Sequence, residues 1–239
     1  MPLLLTRPEA QGAGFADEVA ARFGSRIRLI KTPLLAPRFY APTLPAGKFS
    51  ALIVTSKTGV EAYSRLSGDF PDLPKTVYCV GESTAALALA AGLKPLCAAP
   101  DANHLIQQII RLQPTGPLLH LRGRDARGDV AKHLDNAGIE TEVAVVYAQE
   151  GLPLTADAER VLRAASPVLV PLFSPRTASI FASEMVRIGG ISPLFLATMS
   201  GEVALEAGAL SAQIKVAMRP DSTAMCDTLA LLLADMQRA

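Results

Sequence analysis

The 239-residue chain has no tryptophan and only 5% aromatic residues, so a core has to be built from Leu, Val, Ile and Ala instead of large rings. With 50% hydrophobic residues, that is the palette of buried parallel sheets. Net charge is nearly absent, Lys+Arg 23 against Asp+Glu 22, so the concentrated basic face that duplex nucleic acid demands is missing and no nucleic-acid partner is expected. A local group of arginines still suits an anionic small molecule. Cysteine is scarce: Cys79, Cys97 and Cys226 are odd in number, with no CxxC spacing and no histidines nearby. That excludes a disulfide framework and a zinc site and predicts buried thiols in a reducing compartment.

Long apolar runs are missing too. The longest, Ala85 to Leu93, is too short to cross a bilayer, and MPLLLTRPEAQ lacks the basic start and apolar stretch of a leader. A cytoplasmic protein with no membrane partner is expected. Nucleotide signatures are incomplete. Gly12-Ala13-Gly14-Phe15 has no third glycine and no acidic residue ending the next strand, and GESTAA from Gly81 lacks the Gly-Lys pair of a phosphate loop. His104, His120 and His133 show neither metal nor triad spacing and read as structural. No metal and no cofactor are expected.

What is present is an alternation of short apolar runs with helical-period segments, the pattern of parallel strands joined by crossover helices. Strands are predicted at Leu3 to Leu5, Arg26 to Lys31, Ala51 to Thr55, Val77 to Val80, Leu118 to Leu121, Thr141 to Gln149, Val168 to Phe173, Leu194 to Ala197 and Ile214 to Ala217. Between them, Phe15, Val19 and Phe23 share a helical stripe, as do Leu105, Ile106, Ile109 and Ile110 behind a cap at Asp101. A helix is predicted from Ser83 to Ala91, closed by Gly92. Pro33, Pro37, Pro42 and Pro45 mark a connector and a domain boundary; Glu150 to Pro153 marks a second crossing. Pro171 fits its strand poorly and predicts an edge or a bulge there.

Two segments echo two others. TSKTGVEAY (Thr55 to Tyr63) matches FSPRTASIF (Phe173 to Phe181), and VGESTAALALAAGL matches MSGEVALEAGAL. Ser56 and Ser83 stand 27 positions apart, Ser174 and Ser200 26 apart, so each half is expected to place two polar strand-to-helix turns at one end of its sheet. A helix opening on a hydroxyl presents unpaired N–H groups and its positive dipole end to an anion. For any one serine the plain alternative is simple capping. Four such turns, with Thr6-Arg7, Lys57 and Arg176 beside three strand ends, favour a polyanionic ligand held between two domains.

The segments LLLTRPEAQ, ALIVTSKTGVEAY, VYCVGESTAALALAAGL, LLHLRGRDARGDVAKHLDNAGIETEVAVVY, FSPRTASIF and MSGEVALEAGAL, in this order, resemble uroporphyrinogen-III synthases over nearly the whole chain. The most characteristic stretch carries Arg122-Gly123, a helix with Arg127, Gly138 and the valine-rich ending at Tyr147. The resemblance implies an α/β fold of two similar flavodoxin-like parallel-sheet domains joined by a two-stranded antiparallel linker. One domain would be discontinuous, residues 1–30 with 152–239; residues 31–49 and 141–151 would form the ladder, and 50–147 the other domain.

It also implies a reaction: hydroxymethylbilane closes to uroporphyrinogen III with inversion of the terminal pyrrole ring and loss of water, through azafulvene and spiro intermediates. The substrate supplies the electron push; the protein supplies geometry. By the same resemblance Tyr147 is the candidate acid, its plain alternative being an anchor for the ladder, and Thr84 binds a substrate carboxylate. Ser56, Lys57, Ser83, Arg122, Gly123, Thr6, Arg7, Ser174, Arg176, Ser200 and Gly201 complete the expected contacts. Val203 stands where some members have threonine, so the Ser200-Gly201 turn is left with its backbone amides. A monomer is expected, meeting at most the preceding pathway enzyme in passing. The rivals are a two-lobed sensor that binds a small anion without catalysis, and a degenerate nucleotide-binding enzyme, which the missing glycines disfavour.

Overall fold

The computed structural model describes residues 1–126 and 128–236, with the backbone alone at 9–11. Arg127 lies outside the described residues. The chain opens with β1 (Pro2–Leu5), α1 (Glu9–Phe23), β2 (Arg28–Lys31) and β3 (Leu35–Phe39). Then come β4 (Ala51–Val54), α2 (Lys57–Leu66), β5 (Thr76–Val80), α3 (Glu82–Ala90), β6 (Lys94–Ala99) and α4 (Ala102–Leu112). Next are β7 (Leu118–Gly123), α5 (Val130–Asn136), β8 (Thr141–Gly151), α6 (Ala156–Leu162), β9 (Val168–Leu172) and α7 (Pro175–Ile188). The last are β10 (Leu194–Thr198), α8 (Gly201–Glu206), β11 (Ala212–Val216) and α9 (Ser222–Met236).

The contacts divide the chain into two units, Met1–Ala36 with Glu150–Ala239, and Pro37–Gln149. The first holds a five-stranded sheet in the order β11-β10-β9-β1-β2, its registered pairs all parallel. Counted along the chain this is the 2-1-3-4-5 order of flavodoxin-like sheets. The second sheet runs β3-β8-β7-β4-β5-β6. Leaving β3 aside, it becomes the first sheet once the chain is cut so that β9 answers to β4, β10 to β5, β11 to β6, β1 to β7 and β2 to β8. That permutation carries the sequence echo, because the segments after β4 and β9 are the ones that match.

Strand composition follows position in the sheet. β4, all Ala, Leu, Ile and Val, is buried at every residue because helices cover both faces, whereas the edge strands β6 and β11 show an exposed residue at alternate or nearly alternate positions. Side chains therefore sort by parity. In the second unit Leu52, Val54, Leu119 and Leu121 face Val60, Tyr63 and Ala88, while Ala51, Ile53 and Leu118 face Leu105, Ile109, Val130 and Leu134. In the first, Leu4, Val168, Val170 and Leu196 pack on Phe181 and Ala178, and Leu3, Leu5 and Leu169 on Phe15, Val19, Met225 and Leu229. Fully burying each such Leu, Val or Phe stabilises the fold by about 1.5–3 kcal/mol.

β3 lies in the proline-rich connector. Tyr40 N–H donates to Val146 O at 2.9 Å and Leu152 N–H to Leu34 O at 2.9 Å; one partner climbs as the other descends, so β3 and β8 run antiparallel. Pro37 is tolerated because β3 is an edge.

Two strand expectations need correction. Pro171 is not at an edge: β9 is the middle strand of its sheet. Its carbonyl accepts from Thr6 Oγ1 at 3.2 Å, so its missing N–H also faces β1, and there the registered pairing shrinks to Leu3 with Leu169. A buried threonine hydroxyl replaces part of the ladder. β6 has no counterpart among the predicted strands, because KPLCAA has a proline and little β-branched content, and an edge position lets it pair on one side only.

His120, in the middle of β7, is 2% exposed, and among the described residues neither ring nitrogen has a hydrogen-bond partner. Burial above all, helped by Arg122 and opposed by Asp129, pushes it down to about 4. Its ordinary value is about 6.5, so between these two pH values the unfolded chain binds a proton that the folded one refuses, and stability falls on acidification. Moving from pH 7 to pH 4.5 is expected to cost wild type about 2–3 kcal/mol that His120→Leu does not lose, measured as urea unfolding at both pH values.

Candidate active site

Ligands of open parallel sheets bind beyond the carboxyl ends of the strands, where strand order reverses. In the second unit that point lies between β4 and β7; β7, β4 and β5 end there at Arg122-Gly123, Ser56-Lys57 and Gly81 to Thr84, and the parallel pairing of β8 with β7 stops beside them at Tyr147, before β8 itself ends at Gly151. In the first unit it lies between β1 and β9, with Thr6-Arg7, Ser174 to Arg176 and Ser200-Gly201 ending β1, β9 and β10. Each sheet thus gathers its own share of the expected residues.

Three of the four turns open as the sequence suggests. Ser56 Oγ accepts from Gly59 N–H at 3.2 Å, Ser174 Oγ from Thr177 N–H at 3.2 Å, and Ser200 Oγ from Val203 N–H at 3.5 Å. The fourth differs. Gly81, not Ser83, begins α3, at φ 80 and ψ 137 with no side-chain cap. Only glycine takes that backbone without strain, and it turns its carbonyl onto the amides of Thr84 and Ala85, both at 3.1 Å. Ser83 is pushed to the exposed face of the first turn, while Thr84 is 5% exposed against the sheet.

The cations divide by role. Lys57 and Arg176 are exposed. Arg122 is half-buried and braces its own loop, donating from Nη2 to Ala126 O at 2.7 Å and from Nε to Gly123 O at 3.3 Å. Arg7 lies over the Phe173 ring at 4.3 Å, where burial lowers its pKa from the ordinary guanidinium value. Among the described residues no carboxylate pairs with it, so an incoming anion would meet a cation already stripped of some water. Thr6 beside it is fully buried, its hydroxyl held by Pro171.

Tyr147 is the most closely determined side chain of the group. Its carbonyl accepts from Arg124 N–H at 2.8 Å. Its ring lies against the α-carbon of Gly123, where a Cβ would stand 2.6 Å from Cε2 and 2.7 Å from Cζ, so only glycine lets the ring lie there. Phe39 flanks it, ring centroids 6.4 Å apart, and its hydroxyl meets Ser56 Oγ at 2.9 Å. Nothing in the sequence showed this last contact, which joins residues 91 apart. Ser56 and Tyr147 were each legible as site residues; their meeting depends on β7 lying between β4 and β8.

Among the described residues no group of His, Cys, Asp or Glu could hold a metal ion, and no helix is long and apolar enough to cross a membrane. Fold and turns define a class: a two-unit α/β protein whose parallel sheets present capped helix N-termini and cations at their switch points, with a phenol at one of them. A family model described as uroporphyrinogen-III synthase HemD matches residues 30–227, and the chain belongs to that family of enzymes of tetrapyrrole biosynthesis. The crystal structure of uroporphyrinogen-III synthetase from Helicobacter pylori covers 97% of this chain and 98% of its own, with TM-score 0.59 and 19% identity, and so shares the fold. A mutant uroporphyrinogen III synthase from the extremely thermophilic bacterium Thermus thermophilus covers 98% and 99% with TM-score 0.47 and 13% identity. Among curated proteins none matches this chain. Nothing in these comparisons supports the anion-sensor alternative.

Proposed function

We propose that the chain acts as a cyclising hydro-lyase that closes hydroxymethylbilane to uroporphyrinogen III, one water leaving and the last pyrrole ring inverting. The observation that carries this reading, beside the family, is the Tyr147 hydroxyl held at the carboxyl edge of the second sheet next to the N-terminus of α2.

The chemistry divides between guest and host. An electron-rich pyrrole expels its own hydroxyl to give an azafulvene; the substituted α-carbon of the terminal ring attacks it, the spiro species fragments and recloses, and the proton released on rearomatisation restores the acid that protonated the departing hydroxyl. No electrons enter or leave overall. The host has two tasks. Tyr147 gives a proton to the departing hydroxyl, as a positioned general acid. Strand-end turns hold carboxylates so that the substituted carbon, and not the unsubstituted position that closes spontaneously to the type I isomer, meets the azafulvene. We assign these contacts to Arg7, Lys57, Thr84, Arg122 and Arg176, to the amides at Ser83, Gly123, Ser174, Ser200 and Gly201, and to the Ser56 and Thr6 turns.

Three free cysteines fit a cytoplasmic protein serving heme biosynthesis, and we take the working form to be a monomer that meets the preceding pathway enzyme only in passing. The test is to incubate purified protein with freshly generated hydroxymethylbilane and resolve the oxidised products by isomer: type III supports the reading and type I alone rejects it.

Lys57 and Arg122 separate binding from folding. Lys57 is exposed, so Lys57→Ala is expected to raise KM about three- to tenfold with the urea midpoint unchanged. Arg122→Ala also frees the Gly123 and Ala126 carbonyls, and is expected to lower that midpoint as well as affinity.

A further inference from the structure

We infer that Ser56 is a positioning residue for the reaction: its hydroxyl donates to Tyr147 Oη, which turns the phenol proton outward and steadies the phenolate once that proton has left. The inference rests on the synthase reading and adds to it a role that the helix cap does not require.

Ser56 Oγ has one proton and two lone pairs. Gly59 N–H occupies one lone pair at 3.2 Å, and Tyr147 Oη lies 2.9 Å away. If Tyr147 were the donor of that contact, its proton would be spent inside the protein. If Ser56 is the donor, the phenol proton is left for the substrate's hydroxyl, and a Ser56 O–H already points at the oxygen on which negative charge develops. Hydrogen bonds to a charged acceptor are roughly twice as strong as neutral ones, so this contact strengthens as the proton departs, which is when it lowers the barrier. Donation from the Gly59 amide into Ser56 Oγ makes the serine proton a better donor still.

The surroundings fix both oxygens. Ser56 has the extended backbone of a cap, φ −155 and ψ 158. Gly59 has no room for a side chain, since a Cβ would stand 2.7 Å from Val54 Cγ1, so the amide that holds Ser56 is seated directly on β4. Tyr147 is held in turn by Gly123, Phe39 and the Arg124 amide. The first unit supplies an internal contrast. Ser174, the counterpart of Ser56 after β9, caps α7 in the same way, but its hydroxyl meets Thr177 Oγ1 of its own turn at 2.8 Å. Capping therefore needs no partner on another strand, and the reach of Ser56 to a phenol two strands away is an addition to the cap.

Substitutions at Ser56 separate the two roles. Thr both caps and donates; Asp caps but, ionised, only accepts; Ala does neither. In the type III assay Ser56→Thr is expected to stay within about threefold of wild type in kcat, while Ser56→Ala and Ser56→Asp both fall about tenfold. The urea midpoint should drop for Ser56→Ala only. If Ser56→Asp turns over like wild type, the serine is a cap and the proposal is overturned. A second readout needs no turnover. With no tryptophan and four tyrosines in the chain, the Raman difference between wild type and Tyr147→Phe isolates the tyrosine Fermi doublet of Tyr147. The geometry predicts the intensity pattern of an accepting phenol, lost in Ser56→Asp; a donating pattern in wild type overturns the proposal even in a protein that makes type III product. A protein that makes only type I yet shows the accepting pattern would reject the synthase reading and leave the hydrogen bond standing.

Discussion

Tyr147→Phe is expected to lower kcat for type III product by about 10²–10³-fold while substrate affinity changes less than about twofold. The substitution removes one oxygen and leaves the ring, so the packing on Gly123 and Phe39 persists. What disappears is the proton proposed for the departing hydroxyl and the partner of Ser56 Oγ at 2.9 Å. The structural cost is that of one half-buried hydrogen bond, about 0.5–1.5 kcal/mol, too small to unfold a domain. Because spontaneous closure continues, the loss appears twice: as slower consumption of bilane, and as a product mixture that shifts from type III to type I. Steady-state kinetics with isomer analysis checks both. Unchanged turnover would leave Tyr147 only the structural role of anchoring β8.

Gly123→Ala is the second large effect, and it works through the same ring. The new methyl would stand 2.6 Å from Tyr147 Cε2, 2.7 Å from Cζ and 3.0 Å from the hydroxyl, so the whole edge of the ring must withdraw. Overpacking of this kind costs typically about 1–3 kcal/mol. The catalytic penalty exceeds the structural one, because a displacement of about 1 Å of a catalytic group can cost 10²-fold in rate. The variant is therefore expected to fold with a lowered urea midpoint, to lose about 10²-fold in kcat, and to lose the Ser56 contact. Gly123→Ala combined with Tyr147→Phe should be no slower in kcat than Tyr147→Phe alone, since both remove the same proton donor; additive losses in kcat would mean that Gly123 serves the chemical step independently of the ring.

Much of this was legible in the sequence, and the failures have physical causes. β4 and the apolar part of β9 read as strands because a central parallel strand is buried on both faces and needs unbroken Leu, Val and Ile. Ser56, Asp101 and Ser174 read as caps because a hydroxyl or carboxylate before a helical stripe has one strong use. β6 was illegible because an edge strand needs only one partner and tolerates Pro95. Ser83 misled because VGES holds two candidate starts, and the positive φ of Gly81, which decides between them, is a property of the folded backbone. Pro171 misled because Thr6, distant in sequence, donates to its carbonyl where the ladder to β1 breaks off. The site was legible as residues and not as contacts. Which strands neighbour which is set by the crossovers, and only the order β8-β7-β4 brings the Tyr147 phenol to Ser56.

On the proposed mechanism the protein contributes geometry and one well-aimed proton to a guest that already carries its own reactive electrons. The most direct measurement holds hydroxymethylbilane fixed, raises the protein concentration from zero, and follows the type III fraction of the product. That fraction should climb from the spontaneous background toward completeness with the intact protein, and far less steeply with Tyr147→Phe at matched concentrations. A product that stays type I at every concentration would contradict the account.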